Sequence, residues 1–261
     1  MPKTEIHPSA CVDATARIGA GCRVGPFAVI EPDTVLGEGC QVSPHAVIKR
    51  YSILGRNNRV LEGVVIGGVP QDFKYLEHRS FVKIGDGNTF REYVTINRST
   101  TEDGSTIIGN KCFLMAYAHV AHECELGNHV VMANAVQLAG HVCIQDSAFL
   151  SGGVVVHQFC RIGKQSMIGG NSKVVKDVPP FLLADGVPAR LRGLNLVGLR
   201  RAGTPRETLE SLKQAYRILC SKVPQVERRA SLNALVCPEA QQMADFIRHS
   251  QRSYCSPASS T

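Results

Sequence analysis

IHPSACVDATARIGAGCRVGPFAVIEPDTVLGEGCQVSPHAVI, residues 6–48, matches itself at every sixth position. Ile6, Val12, Ile18, Val24, Ile30, Leu36, Val42 and Ile48 are all aliphatic, and the phase runs on through Leu54, Val60 and Ile66. At a hydrophobic content of 44%, a run of that length arises by chance roughly once in ten thousand trials. The phase restarts at Ile84, Phe90 and Ile96. It restarts again at Ile108 and continues through Leu114, Val120, Leu126, Met132, Leu138, Ile144, Leu150, Val156, Ile162, Ile168 and Val174.

Two positions before each aliphatic the residue is usually small or β-branched, as at Ala10, Cys22, Ala28, Cys40, Cys112, Ala118, Cys124, Val136 and Cys160. Alternate residues of a strand point to one side, so both slots face one interior. Glycine often follows the aliphatic (Gly19, Gly25, Gly37, Gly55, Gly109, Gly163), which suits a corner where a side chain would crowd or φ is positive. A six-residue unit cannot bury itself; three of them make one triangular coil, and stacked coils share a core. The repeats predict about eight to nine coils at ~4.8 Å each, a prism roughly 40 Å tall. The fold class is mainly β: a parallel β-helix with a small C-terminal helical domain.

The prism is expected over residues 1–190, interrupted by loops at 68–83 and 97–107, where the period breaks. Helical signals fill 191–261. Thr204-Pro205-Arg206-Glu207 reads as a capping box, Leu209, Leu212, Tyr216 and Leu219 recur at helical spacing, and Pro238 opens a last helix burying Met243, Phe246 and Ile247. The tail 250–261 reads as flexible.

Bulk properties narrow the function. A net charge of +7 and a pI near 8.9 call for an acidic partner or substrate. Nucleic acid fits poorly, because aromatics are 6%, Trp is absent and no basic tract is interleaved with aromatics. The ten cysteines include no CxxC pair, and those in the small slot read as packing residues. With no apolar leader and no stretch near the ~18 apolar residues of a membrane span, the expectation is a cytoplasmic protein.

Stacking turns sequence into geometry. Residues 18 apart lie one above another, so His122 sits beneath Gly140 and Gly140 beneath Gln158, with His119 beneath Gln137. His141 and His157 fall within one residue of the first column. None of these histidines takes an inward slot. Three readings compete: a zinc site, solvated histidines without chemistry, and a general base with the Gly140 N–H above it free to approach an oxyanion.

The segments Gly67-Gly68-Val69-Pro70-Gln71-Asp72-Phe73-Lys74-Tyr75, Arg91-Glu92-Tyr93-Val94-Thr95-Ile96, Ala118-His119-Val120-Ala121-His122-Glu123-Cys124 and Val156-His157-Gln158-Phe159-Cys160 resemble the UDP-N-acetylglucosamine O-acyltransferase family. So do Asp177-Val178-Pro179-Pro180-Phe181 and Gly193-Leu194-Asn195, and the likeness runs from about residue 5 to 250. The resemblance implies a left-handed winding, a homotrimer, and transfer of a 3-hydroxyacyl group from acyl carrier protein to the glucosamine 3-hydroxyl of UDP-N-acetylglucosamine, the first step of lipid A synthesis. It implies no bound cofactor and no metal; 4′-phosphopantetheine arrives on the carrier. His122 would be the base, Glu123 its support and Gly140 the oxyanion donor. His119, His141, His157 and Gln158 would position sugar and thioester. Asp72 and Lys74 would reach the nucleotide sugar from the adjacent subunit, with Asn195 and Arg201 near the nucleotide. Gly170 matches the position that limits acyl length and argues for a longer chain. Arg161, Lys164, Lys173, Lys176, Arg190 and Arg192 are candidate carrier-docking charges.

Departures from the family pattern at Asn97, Val197 and Ala202 leave open a 3-amino sugar as acceptor, which would give an amide. The alternative from another class is a hexapeptide-repeat zinc protein of the carbonic anhydrase kind.

Overall fold

The structure, a computed structural model, describes residues 3–73, 75–221 and 223–258. The repeat builds a three-sided, left-handed parallel β-helix. One side begins at Glu5–Ile6 and stacks strands up to Met167–Ile168; the second runs from Cys11–Val12 to Lys173–Val174; the third from Arg17–Ile18 to Arg161–Ile162. Register follows the 18-residue arithmetic, with His119 opposite Gln137 and Gln137 opposite Val155. Each coil donates its amides to the next, as in Gln137 N–H to Val154 O at 2.8 Å.

Both inward slots are filled as the pattern requires. Ile48, Ile66, Leu114, Val120, Met132 and Leu150 are fully buried, each worth about 1.5–3 kcal/mol of transfer energy. The slot cysteines Cys22, Cys40, Cys112, Cys124 and Cys160 are buried too. Cys22, Cys40, Cys112 and Cys124 donate their thiols to the carbonyls of Gly37, Gly55, Gly127 and Ala139 in the coil above, at 3.1–3.2 Å. On either side of the first break in phase, Asn58 and Asn88 take the small slot, where Asn88 donates to Asn58 Oδ1 and Asn58 donates to the Gly55 and Gly85 carbonyls.

Of the two reasons offered for the corner glycines, crowding is the operative one. A Cβ on Gly37 would lie 2.5 Å from the backbone of Gly55. The left-handed conformation falls instead two residues later, on side chains such as Tyr117, Glu123, His141 and Phe159, with φ of 52–64°. Such a residue costs on the order of 1 kcal/mol or more, and the inter-coil ladder on either side holds it there.

The loops are shorter than the period break suggested. Strands Val65–Gly68 and Phe81–Ile84 flank the first, leaving 69–80; strands Thr95–Asn97 and Ser105–Ile108 flank the second, leaving 98–104. Flanking residues that had lost the six-residue phase still pair, Phe81 with Ser105 and Val82 with Thr106.

At the top, an antiparallel hairpin of Leu182–Gly186 and Ala189–Leu194 adds to the first side, so the boundary expected at 190/191 falls inside a strand. Helices α1 (Leu196–Arg201), α2 (Arg206–Cys220), α3 (Gln225–Asn233) and α4 (Pro238–Arg248) follow. Helix α2 starts after Pro205 with no side-chain cap, so the expected capping box does not form. Its buried residues are Leu212, Ala215 and Leu219, while α4 buries Met243, Phe246 and Ile247 as the pattern indicated.

The chain end is a correction. Residues 250–258 are not a loose tail: Asp177 N–H donates to Ser253 O, Cys255 N–H to Asp177 O, Leu191 N–H to Ser256 O and Ala258 N–H to Leu191 O, all at 2.8–3.0 Å. Ser250 Oγ also donates to Asp177 Oδ2 at 2.7 Å, and Cys255 is buried. The last coil would otherwise present an open edge, and the returning chain supplies its partners. Arg161, one of the expected docking charges, is part of this closure. Its guanidinium lies 4.2 Å over the Phe246 ring and donates to the Phe246 and His249 carbonyls.

Candidate active site

One corner of the prism carries His122–Glu123, Gly140–His141 and Gln158–Phe159 on three successive coils. Stacking is direct: His141 N–H donates to His122 O at 3.0 Å, and Phe159 N–H to Gly140 O at 3.1 Å. A Cβ on Gly140 would lie 2.4 Å from His122 Cε1, so glycine is what lets the imidazole lie under this turn. Among the described residues nothing in the chain accepts from the Gly140 N–H, and it remains available to an incoming oxygen.

His122 is mostly covered, with 12% of its side chain exposed. Its Nδ1 is hydrogen-bonded to Glu123 Oε2. Burial pushes the Glu123 carboxyl up, but hydrogen bonds from Ser99, His122 and Thr100 outweigh it and bring it down to about 2. The carboxylate is therefore ionised at neutral pH and can only accept. A neutral His122 must then carry its proton on Nδ1, leaving the Nε2 lone pair bare. Asp72 Oδ2 stands 3.8 Å from that Nε2. Together with Gln71, His119, Gln137 and Gly140 these groups line an open cleft of ≈ 460 Å³.

His119 faces the same cleft and bonds Thr95 Oγ1 through Nδ1 at 2.7 Å. Burial and the nearby His122 hold its imidazole below the usual range, so it is neutral and suited to hydrogen bonding rather than to charge. His141 sits one coil above Glu123, 3.7 Å from its Oε2, stacked on Phe159 with ring centroids 4.5 Å apart. Gln158 lines the cleft. His157 is exposed, its Nδ1 turned to the Gln158 carbonyl at 3.1 Å.

Asp72 stands beside His122 of its own chain. Lys74 lies outside the described residues. Asn195 is buried and spent on structure: its side chain accepts from Gly198 N–H at 3.1 Å as the cap of α1 and donates to Gln165 O at 2.9 Å. Arg201 is exposed at the end of α1. Gly170 stands on a different corner with open space, its nearest contact for a Cβ being Gly152 O at 3.5 Å. Asn97, the first departure, is buried and donates to Val69 O at 3.1 Å. It acts on the root of the loop that carries Asp72, not on the cleft directly.

Ser99, Thr100 and Thr101, which bind Glu123, escaped the sequence reading. Their only signal was a run of hydroxyls inside a stretch without register. A thiol nucleophile finds no support here, since burial pushes Cys124 up to about 12 and raises Cys143 as well. Donor atoms of His122, Glu123 and His141 do lie within 4.8 Å of one another. A zinc ion there would have to displace the proton that His122 shares with Glu123.

A relative from Halorhodospira halophila, named acyl-(acyl-carrier-protein)–UDP-N-acetylglucosamine O-acyltransferase, is 47% identical over 253 residues, 95% of this chain and 98% of that protein. The chain belongs to the UDP-N-acetylglucosamine O-acyltransferase family. A profile for domain 2 of that family matches residues 177–255, and one for bacterial transferase hexapeptide repeats matches 15–50 and 105–140. A Synechocystis family member is 48% identical over 162 residues, 59% of its own length. The solved UDP-N-acetylglucosamine acyltransferase of Francisella novicida superposes with a TM-score of 0.95 at 35% identity, covering 97% of this chain and 95% of that one. The Acinetobacter baumannii structure gives 0.92 at 35% identity, covering 96% and 99%. Among the described residues no helix is long and apolar enough to cross a membrane.

Proposed function

We propose that the chain is an acyltransferase that moves a 3-hydroxyacyl group from acyl carrier protein to the 3-hydroxyl of UDP-N-acetylglucosamine, the opening step of lipid A synthesis in the cytoplasm. The observation that carries this is the ionised Glu123 on His122 Nδ1 beneath the uncovered Gly140 N–H. His122 Nε2 takes the proton of the acceptor hydroxyl as its oxygen attacks the thioester carbonyl. The carbonyl oxygen gains the negative charge and is received by the Gly140 N–H. Collapse breaks the C–S bond, and the departing pantetheine thiolate takes the proton back from His122. The transfer is direct, so it requires neither a resident cofactor nor an enzyme-bound acyl group; the pantetheine comes with its carrier. His119 and Gln158 line the path of the reactants, and Asp72 approaches the acceptor from the 69–80 loop. A homotrimer, with Lys74 and Arg201 reaching nucleotide across the cleft between prisms, belongs to the same reading.

The test is incubation of the purified protein with UDP-N-acetylglucosamine and a series of 3-hydroxyacyl carrier proteins, beside folded His122→Ala. Ester formed by the wild type and reduced by about 10²–10⁴-fold in the variant is the expected result. Equal activity of the two proteins refutes the base, and activity only on the 3-amino sugar moves the product to an amide.

A further inference from the structure

Glu123 is held by one oxygen. Ser99 Oγ donates to its Oε1 at 2.5 Å, Thr100 Oγ1 at 2.9 Å and Thr101 N–H at 3.2 Å, and the Thr100 N–H joins them. All four donors come from one turn of the 98–104 loop. Oε2 is left for His122. The turn is itself braced: Ser99 is fully buried, and Thr101 N–H donates to Ser99 Oγ at 2.9 Å. From the 69–80 loop, Ser80 Oγ donates to Ser99 O at 2.5 Å and His78 Nε2 to Thr100 O at 2.6 Å. Arg79 pairs with Asp103 at 2.7 Å. The loop that carries Asp72 is thus fastened to the turn that holds the partner of the base.

A carboxylate with one free oxygen could rotate and offer His122 a poorer angle, or let the imidazole turn over. Saturating Oε1 removes both options. We propose that Ser99 and Thr100 are positioning residues for the acyl transfer: they fix Glu123 so that only Oε2 meets His122, and so lock the imidazole as its Nδ1–H tautomer with Nε2 bare toward the acceptor. This rests on the acyltransferase reading above. The backbone N–H donors of Thr100 and Thr101 survive any side-chain change, so the hydroxyls supply the adjustable part of the grip.

The experiment is the Ser99→Ala/Thr100→Val double variant, with Ser99→Thr as the conservative control, measured by steady-state kinetics, thermal melting and ¹⁵N-histidine NMR at about pH 8, where imidazole is ordinarily neutral. Wild type is expected to show His122 protonated on Nδ1 alone. The double variant is expected to show both tautomers and a kcat lower by about tenfold or more, a fraction of the ~10⁴ that a wholly wrong tautomer costs a serine protease triad. KM for the sugar nucleotide should stay within about threefold, and Ser99→Thr should restore kcat. An unchanged kcat, or a fall in kcat and melting temperature with the tautomer unchanged, overturns the proposal in favour of a merely structural turn. Absence of acyl transfer by wild type would remove the acyltransferase reading, while the NMR comparison would still decide whether the hydroxyls set the tautomer.

Discussion

Gly140→Ala is the sharpest probe of the corner. The new methyl carbon lands 2.4 Å from His122 Cε1 and 2.7 Å from Nε2, where ordinary contact begins near 3.4 Å. Gly140 is not in the left-handed region, so its backbone accepts alanine and the clash must be relieved by the imidazole. That requires a displacement of about 1 Å, which pulls Nδ1 from Glu123 and swings Nε2 away from the acceptor. A misplacement of ~1 Å in a reacting group costs about 10²-fold, or roughly 2.7 kcal/mol of transition-state stabilisation. We expect kcat to fall by about that factor with the fold intact. Gly152→Ala is the control, because its Cβ would meet nothing closer than Asn134 O at 3.5 Å. The assay is ester formation under saturating substrates, beside thermal melting of all three proteins. A Gly140→Ala enzyme within about threefold of wild type would refute the reasoning, because the base would then not depend on the open turn above it.

Other outcomes follow from the same geometry. Gly170→Met has room to fold, its nearest neighbours being 3.5 Å or more from a Cβ; competition between carrier-bound acyl chains should show a shift toward shorter ones, and an unchanged preference would dissociate Gly170 from chain length. Glu123 is held at about 2 against an ordinary 4.5. The unfolded state therefore binds the proton first, and the contribution to stability, present above about pH 4.5, is lost as pH falls toward 2. Glu123→Gln should flatten the acid limb of a denaturation series, and an identical limb would mean the carboxylate is not so held. Truncation after His249 removes the strands' closing partners and buried Cys255. At about 1 kcal/mol per hydrogen bond it should cost about 3 kcal/mol or more, read as an earlier denaturant midpoint; an unmoved midpoint would show that the tail does not close the prism.

Most of the prism was legible in the sequence because a fixed period turns residue number into position. Val24 to Ile66 and Ile108 to Val174 named the core, although Ile6 on the same phase is exposed, and the 18-residue step alone put Gly140 over His122. The His122–Gly140 column needed no further information, since both residues lie on the repeat. The period carries no information where it stops. Asp72 and the Ser99–Thr101 turn lie in loops whose paths are set by side-chain pairing between the loops, such as Ser80 with Ser99 and Arg79 with Asp103.

The ends show the same division. The sequence marked Asn195 and Asp177 within family-like segments, but only the packed chain assigned Asn195 to capping α1 and Asp177 to receiving residues 250–255. The sequence by itself determined the repeat, its interior and the corner where the histidines gather, because each follows from local periodicity in a stack of near-identical coils. Tertiary structure alone decided which oxygen of Glu123 faces His122, which loop holds it and what covers the last coil. Those contacts join residues with no common period, and their partners are chosen by unsatisfied donors and acceptors that must be paired once water is excluded.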